Sequence, residues 1–210
     1  MLVDWNSRMN LTAITELEDV LKKHFVDSVS LVRAYPELLS SSTKRLIDVG
    51  TGAGFPGIPL KIAFPELEVT LLDSLEKRVG FLNEVIRALG LTKISAYHGR
   101  AEDYGRDVKF RDSYDLCVSR AVANLSVLAE FCLPFVKKGG TFYSYKAETA
   151  EAEAKAAANA LGQLKGKVRK VSSFTLPGSE IGRTILAIEK TDGTPDRFPR
   201  KAGTPAKKPL

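Results

Sequence analysis

The chain has 210 residues, 44% of them hydrophobic and 27% charged, with a formal net charge of +6. This usage suits one folded α/β-sized domain with appendages and excludes a fibrous or wholly disordered protein. No apolar run approaches the roughly 18 to 20 residues that span a bilayer, and the opening residues Asp4, Trp5 and Arg8 do not read as an export signal, so no membrane partner and a cytoplasmic location are expected.

From Glu16 to about Ala34 the positions Leu17, Val20, Leu21, Phe25, Val29 and Val32 recur at helical spacing until Pro36, which predicts an amphipathic helix. After the polar break 40–43, the short apolar run Arg45-Leu46-Ile47-Asp48-Val49 runs into glycines and predicts a buried strand. The alternation then continues. A helix is expected from about Ile58 to Phe64, a strand from Glu68 to Asp73, a helix over 76–89 and a strand over 93–98. A strand over 114–119 precedes a helix from Leu125 to Val136, closed by Gly139-Gly140, and a strand over 141–146. The alanine-rich 149–164 segment is helical by propensity, and two β-rich runs, 167–176 and 183–189, flank the turn Leu176-Pro177-Gly178-Ser179.

Alternating strands and helices followed by two adjacent strands predict a Rossmann-like α/β fold, a mostly parallel seven-stranded sheet with an antiparallel terminal strand. Residues 1–43 then form an N-terminal helical extension and 44–190 the sheet domain. Residues 191–210 hold four prolines, two glycines and almost no apolar side chains, so they are expected to be a tail without a core of its own. Between 190 and 210 six basic side chains, Lys190, Arg197, Arg200, Lys201, Lys207 and Lys208, oppose Asp192 and Asp196. A polyanionic partner is expected there, the five basic residues after Lys190 following its phosphates. Cys117 and Cys132 fall in a strand and a helix without metal-ligand spacing, so buried free thiols and no metal are expected.

A glycine-rich turn directly after the first buried strand lets backbone approach a ligand closely, and Gly50, Gly52 and Gly54 are placed for it. Gly52-Ala53-Gly54-Phe55-Pro56-Gly57 also satisfies the weak G-x-G-x-x-G pattern of nicotinamide enzymes. Asp48 separates the two readings: two residues before the first glycine, a carboxylate would repel a pyrophosphate but suits the ammonium of S-adenosylmethionine (AdoMet). Asp73 ends the second strand where such folds set a carboxylate on ribose hydroxyls, and Ala101-Glu102 follows the third strand, where a short side chain and a carboxylate frame an adenine. The fourth strand ends in Ser119-Arg120-Ala121. No Asn-Pro-Pro-Tyr, Asp-Pro-Pro-Tyr or Pro-Cys element is present, which disfavours exocyclic amines and pyrimidine C5 as acceptors. A ring nitrogen with a free lone pair needs no base, so no general base is expected and Arg120 is a candidate for positioning.

Trp5-Asn6, Asn10-Leu11-Thr12, His24-Phe25-Val26-Asp27-Ser28, Asp48 to Gly57, Leu72-Asp73-Ser74, Lys77-Arg78 and Ser119-Arg120-Ala121 occur in that order. Together they resemble the bacterial ribosomal RNA small subunit methyltransferase G family, also called RsmG or GidB, over essentially the whole chain. The resemblance implies a class I AdoMet-dependent methyltransferase that acts on N7 of one guanine in the 530 loop of 16S rRNA, as free RNA or in the small-subunit particle; a monomer is expected. By motif, it implies cofactor contacts from Gly50, Phe55, Asp73, Ser74, Leu75, Ala101, Glu102 and Arg120, with His24, Asp27 and Ser28 lining the cleft. Members carry more helix before the Trp-Asn element, which implies a shortened N-terminal extension here. On the residues alone, an AdoMet-dependent methyltransferase of another substrate and a catalytically silent AdoMet-binding module stay open.

Overall fold

A computed structural model describes residues 1–7, 9–40, 43–120, 123–146 and 150–210; Arg8, Ser41, Ser42, Ala121 and Thr149, which fall in segments named above, lie outside the described residues. Short helices α1 (Leu2–Asn6), α2 (Leu17–Val20) and α3 (Asp27–Val29) precede the sheet domain. There follow β1 (Arg45–Val49), α4 (Gly57–Ala63), β2 (Glu68–Asp73), α5 (Glu76–Ala88), β3 (Ile94–His98), α6 (Ala101–Tyr104), β4 (Tyr114–Ser119) and α7 (Leu125–Cys132). The chain ends with β5 (Val136–Lys146), α8 (Ala150–Ala156), α9 (Ala158–Gln163), β6 (Gly166–Thr175), β7 (Gly182–Lys190) and α10 (Thr204–Lys207).

The seven strands form one sheet in the order β3-β2-β1-β4-β5-β7-β6. The first five are parallel, and β7 runs antiparallel to both β5 and β6. The antiparallel strand thus lies inside the sheet, with β6 at its edge. Successive side chains of a strand face opposite ways, and both faces of this sheet are covered. Leu46, Leu71, Val118, Tyr143 and Ile185 pack with α4 and α5 on one side. Their neighbours Ile47, Leu72, Cys117, Phe142 and Leu186 pack with α7 and α9 on the other. Burial on both faces is why β1, β2 and β4 read as nearly continuous apolar runs. Strand order reverses between β1 and β4, which opens a crevice beyond their carboxyl ends.

Three expectations need correction. The 17–33 stretch is helical throughout, but it changes from α2 to a π-helical segment at Leu21–Val26, then to α3, then to a 3-10 turn at Ser30–Arg33. The wide turn rotates the face: Leu17 and Leu21 are exposed, while Asp27, Ser28 and Ser30 are buried. Helix α7 stops at Cys132, and Gly139-Gly140 lie inside β5, which begins at Val136. Gly140 closes against β4, where an added Cβ would meet the Asp115 carbonyl at 2.7 Å, so it serves strand packing rather than helix termination.

Third, residues 191–210 are packed onto the body. Phe198 is buried in the α7 core, and Pro205 is buried within α10. The Arg111 guanidinium donates to the carbonyls of Gly105, Thr194 and Phe198. Lys190, fully buried, donates to the carbonyls of Leu133 and Val136 and to Asp112 and Thr194. A segment poor in apolar residues docks here because, besides the buried Phe198 and Pro205, its backbone carbonyls meet donors the body supplies.

Candidate functional site

The glycine loop is held by its own carboxylates. Gly50 and Thr51 N–H donate to the Leu72 carbonyl, tying the loop to the end of β2. Gly52 N–H donates to Asp73 Oδ2 at 2.8 Å, and Asp73 Oδ1 accepts from Leu75 N–H at 3.0 Å. Beneath the loop, Asp48 Oδ2 accepts from Thr51 Oγ1 at 2.7 Å and from Gly57 N–H at 2.8 Å. Gly57 has to be glycine, since a Cβ would stand 2.4 Å from Leu71 Cδ2 and 2.9 Å from Asp48 Oδ2. Gly52, at φ +60°, faces open space.

Beside the loop lies a cavity of about 280 Å³. Gly50, Asp73, Ser74, Ala101 and Glu102, all named from the sequence, share its lining. Gly99 and Arg100 complete that side, and Ala123, Leu128 and Phe131 form an apolar wall opposite. Gly203 and Ala206, from the C-terminal segment, complete the outline. The other named residues sit elsewhere. Leu75 is exposed and stands just before α5, and Gly54 packs over Ile58 and Leu82. Phe55 is buried beneath the N-terminal helical run, stacked on His24 with ring centres 4.7 Å apart.

Arg120 belongs to a second polar cluster. It donates to the Lys23 carbonyl at 2.9 Å, to Asp27 Oδ2 at 3.0 Å and to His24 Nδ1 at 3.1 Å, and its guanidinium lies over the Phe55 ring. Arg183, on β7, takes the other Asp27 oxygen at 3.0 Å. His24 Nε2 meets Thr12 Oγ1 at 2.7 Å. A guanidinium only donates, so Nδ1 must accept and the proton sits on Nε2. Burial, then the Arg120 charge, push the His24 pKa below its ordinary value. The imidazole is therefore neutral with its lone pair occupied. Asn6 supports the same cluster, its Oδ1 accepting from Leu11 and Thr12 N–H, whereas Trp5 packs on Phe81 of α5. Arg183 escaped the sequence reading because nothing local marks a β7 arginine as the partner of a carboxylate 156 positions earlier.

The residues fit AdoMet. Asp73 and Glu102 offer acceptors for hydroxyl or N–H groups, and the Leu128–Phe131 wall suits a flat ring. Asp48 Oδ1, fully buried, has no hydrogen-bond partner among the described residues, as an acceptor awaiting a donor would. Burial raises the Asp48 pKa to about 6, against the opposing pull of Thr51, Gly57 and Arg120. A folded-state value above the ordinary 3.8 means that this group by itself adds stability as pH falls through about 6. Binding of a cation opposite the ionised form moves the other way. Affinity for S-adenosylhomocysteine (AdoHcy) is expected to fall roughly tenfold from about pH 7 to about pH 5, measured by titration calorimetry. An affinity unchanged over that interval would remove Asp48 from the cofactor's charge balance.

The sheet order, the loop after β1 and the cavity at the switch point define a Rossmann-like class I AdoMet-dependent methyltransferase. TYW2 from M. jannaschii, solved in complex with AdoMet, shares the fold at a TM-score of 0.58 and 16% identity, covering 78% of this chain and 76% of that one. The family described as rRNA small subunit methyltransferase G matches residues 1–181. The chain belongs to that family. A ribosomal RNA small subunit methyltransferase G of Lachnoclostridium phytofermentans is 53% identical over the whole chain, covering 86% of that relative. Another, of Alkaliphilus metalliredigens, is 52% identical over the whole chain and 87% of the relative. Among the described residues no helix is long and apolar enough to cross a membrane.

Proposed function

We propose that this chain methylates N7 of a single guanine in the 530 loop of 16S rRNA, in the cytoplasm, with Gly50, Asp73, Ser74, Ala101 and Glu102 holding the cofactor. The observation that carries the choice of acceptor is the state of His24 and Arg120: a neutral imidazole whose lone pair is taken, and a guanidinium with no lone pair to give. Neither can remove a proton. AdoMet, when bound, supplies a methyl group on a sulfonium centre. N7 of guanine already carries an available lone pair, so the residues of this site have no proton to hold and act by binding and alignment.

Ser119 Oγ donates to the Val49 carbonyl and ties the end of β4 to the cavity wall, so Arg120 follows directly on it. Two arginines share one carboxylate at Asp27 beside a neutral histidine, which leaves one net positive charge within this cluster. That charge suits an RNA phosphate or the cofactor carboxylate, with Arg120 as the positioning residue. Arg197, Lys201, Lys207 and Lys208 are exposed and add phosphate contacts, whereas Arg200 is already paired with Glu130.

The test is incubation of the protein with labelled AdoMet and 16S rRNA or small-subunit particles from a strain lacking the activity, followed by nuclease mapping and mass spectrometry. One 7-methylguanosine in the 530 loop is expected, with no step in rate at saturating AdoMet that follows a side-chain base near neutral pH. A different modified nucleoside, or a different loop, would overturn the assignment.

A further inference from the structure

We propose that the C-terminal segment is a wall of the cofactor cavity, so that its docking sets cofactor affinity, with Gly203 and Ala206 as cofactor-site residues. The inference rests on the cavity beside Gly50 being the cofactor's. Gly203 and Ala206 line that cavity together with Asp73 and Glu102. They arrive from the far end of the chain, yet the contact is specific: Gly203 N–H donates to Glu102 Oε1 at 2.7 Å, and Glu102 is only 5% exposed. One oxygen of the carboxylate therefore holds the segment. Among the described residues nothing bonds the other, which leaves it for the ligand.

The segment's position does not depend on that single bond. Glu130, on α7 and wholly buried, accepts from Arg200 N–H, Nε and Nη2 at 2.6 to 3.1 Å. Leu128 and Phe131 of the same helix form the apolar wall of the cavity. Arg200 thus anchors the segment to the helix that shapes the pocket, three residues before the glycine that closes on Glu102. Pro205 is buried and Ala206 is exposed, so the helical turn α10 turns its proline to the body and leaves Ala206 at the rim. A small side chain at 206 keeps that rim open.

The experiment is calorimetric titration of AdoHcy into the full chain and into Ala206→Trp, with melting temperatures of both without ligand. The indole is expected to fill the rim and weaken AdoHcy binding by tenfold or more, about 1.4 kcal/mol or above, with an unchanged ligand-free melting temperature because the site is exposed. Binding within twofold of the unaltered chain would overturn the proposal. If Ala206→Trp does not fold, hydrogen exchange of the unaltered protein decides: AdoHcy should slow exchange of the amides between Lys201 and Lys207, and unchanged exchange there would overturn it. Failure of the unaltered chain to bind AdoHcy at all would instead strike the assignment of the cavity.

Discussion

Gly52→Asp is expected to abolish cofactor binding in a protein that still folds. Gly52 adopts φ +60°, and no atom lies within 4 Å of where a Cβ would stand, so an added side chain meets no protein atom at its root. The backbone conformation costs an L residue about 1 to 2 kcal/mol, and aspartate is among the residues that visit it most readily. The body therefore survives. The space entered is the one the loop leaves open beside the cavity, and the new carboxylate joins Asp73, which already bonds Gly52 N–H, and Asp48 beneath it. A third negative charge and the lost volume together should weaken AdoHcy binding by about 100-fold or more, close to 2.7 kcal/mol. Calorimetry gives the affinity and circular dichroism the fold. A folded variant with undiminished affinity would take the loop out of the site.

Arg200→Met should cost stability, and cofactor affinity with it as the C-terminal segment loosens. It removes both guanidinium donors, Nε and Nη2, from Glu130, which is wholly buried in α7. The Arg200 backbone N–H remains, but the carboxylate loses its counterion. Removing one partner of a buried ion pair typically costs about 3 to 5 kcal/mol, and for a chain of this size each kcal/mol lowers the melting temperature by roughly 2 to 4 °C. A fall of about 10 °C is expected in a thermal melt. The double variant Glu130→Met with Arg200→Met should recover much of it, since the stranded charge is then gone. A loss under about 1 kcal/mol in the single variant would mean that Glu130 finds water or another donor. The same geometry corrects the expectation that Arg200 is free for phosphate: its guanidinium is spent on the body.

Strands β1, β2 and β4 were legible to the residue, at 45–49, 68–73 and 114–119, because a strand buried on both faces is a nearly continuous apolar run that turn residues bound. The loop after β1 was legible for a related reason. A sharp turn with backbone close to strands and ligand leaves few residue types besides glycine, so Gly50, Gly52 and Gly54, all at positive φ, are visible without any fold. Asp73, Ala101 and Glu102 follow from strand ends, since parallel strands place all their carboxyl ends on one edge. What the sequence could not decide was set by partners distant along the chain. Only the family resemblance put Asp27 in the cleft; the helical periodicity gave it no inward face, and a π-helical turn rotates it towards arginines 93 and 156 residues away. Glu130 sat unmarked in an apolar helix, 70 residues from the arginine that makes its burial tolerable. Residues 191–210 were read as a tail because composition reports only what a segment can bury by itself. Their order comes from Arg111, Lys190, Glu102 and Glu130, whose donors and acceptors converge only once the sheet has formed.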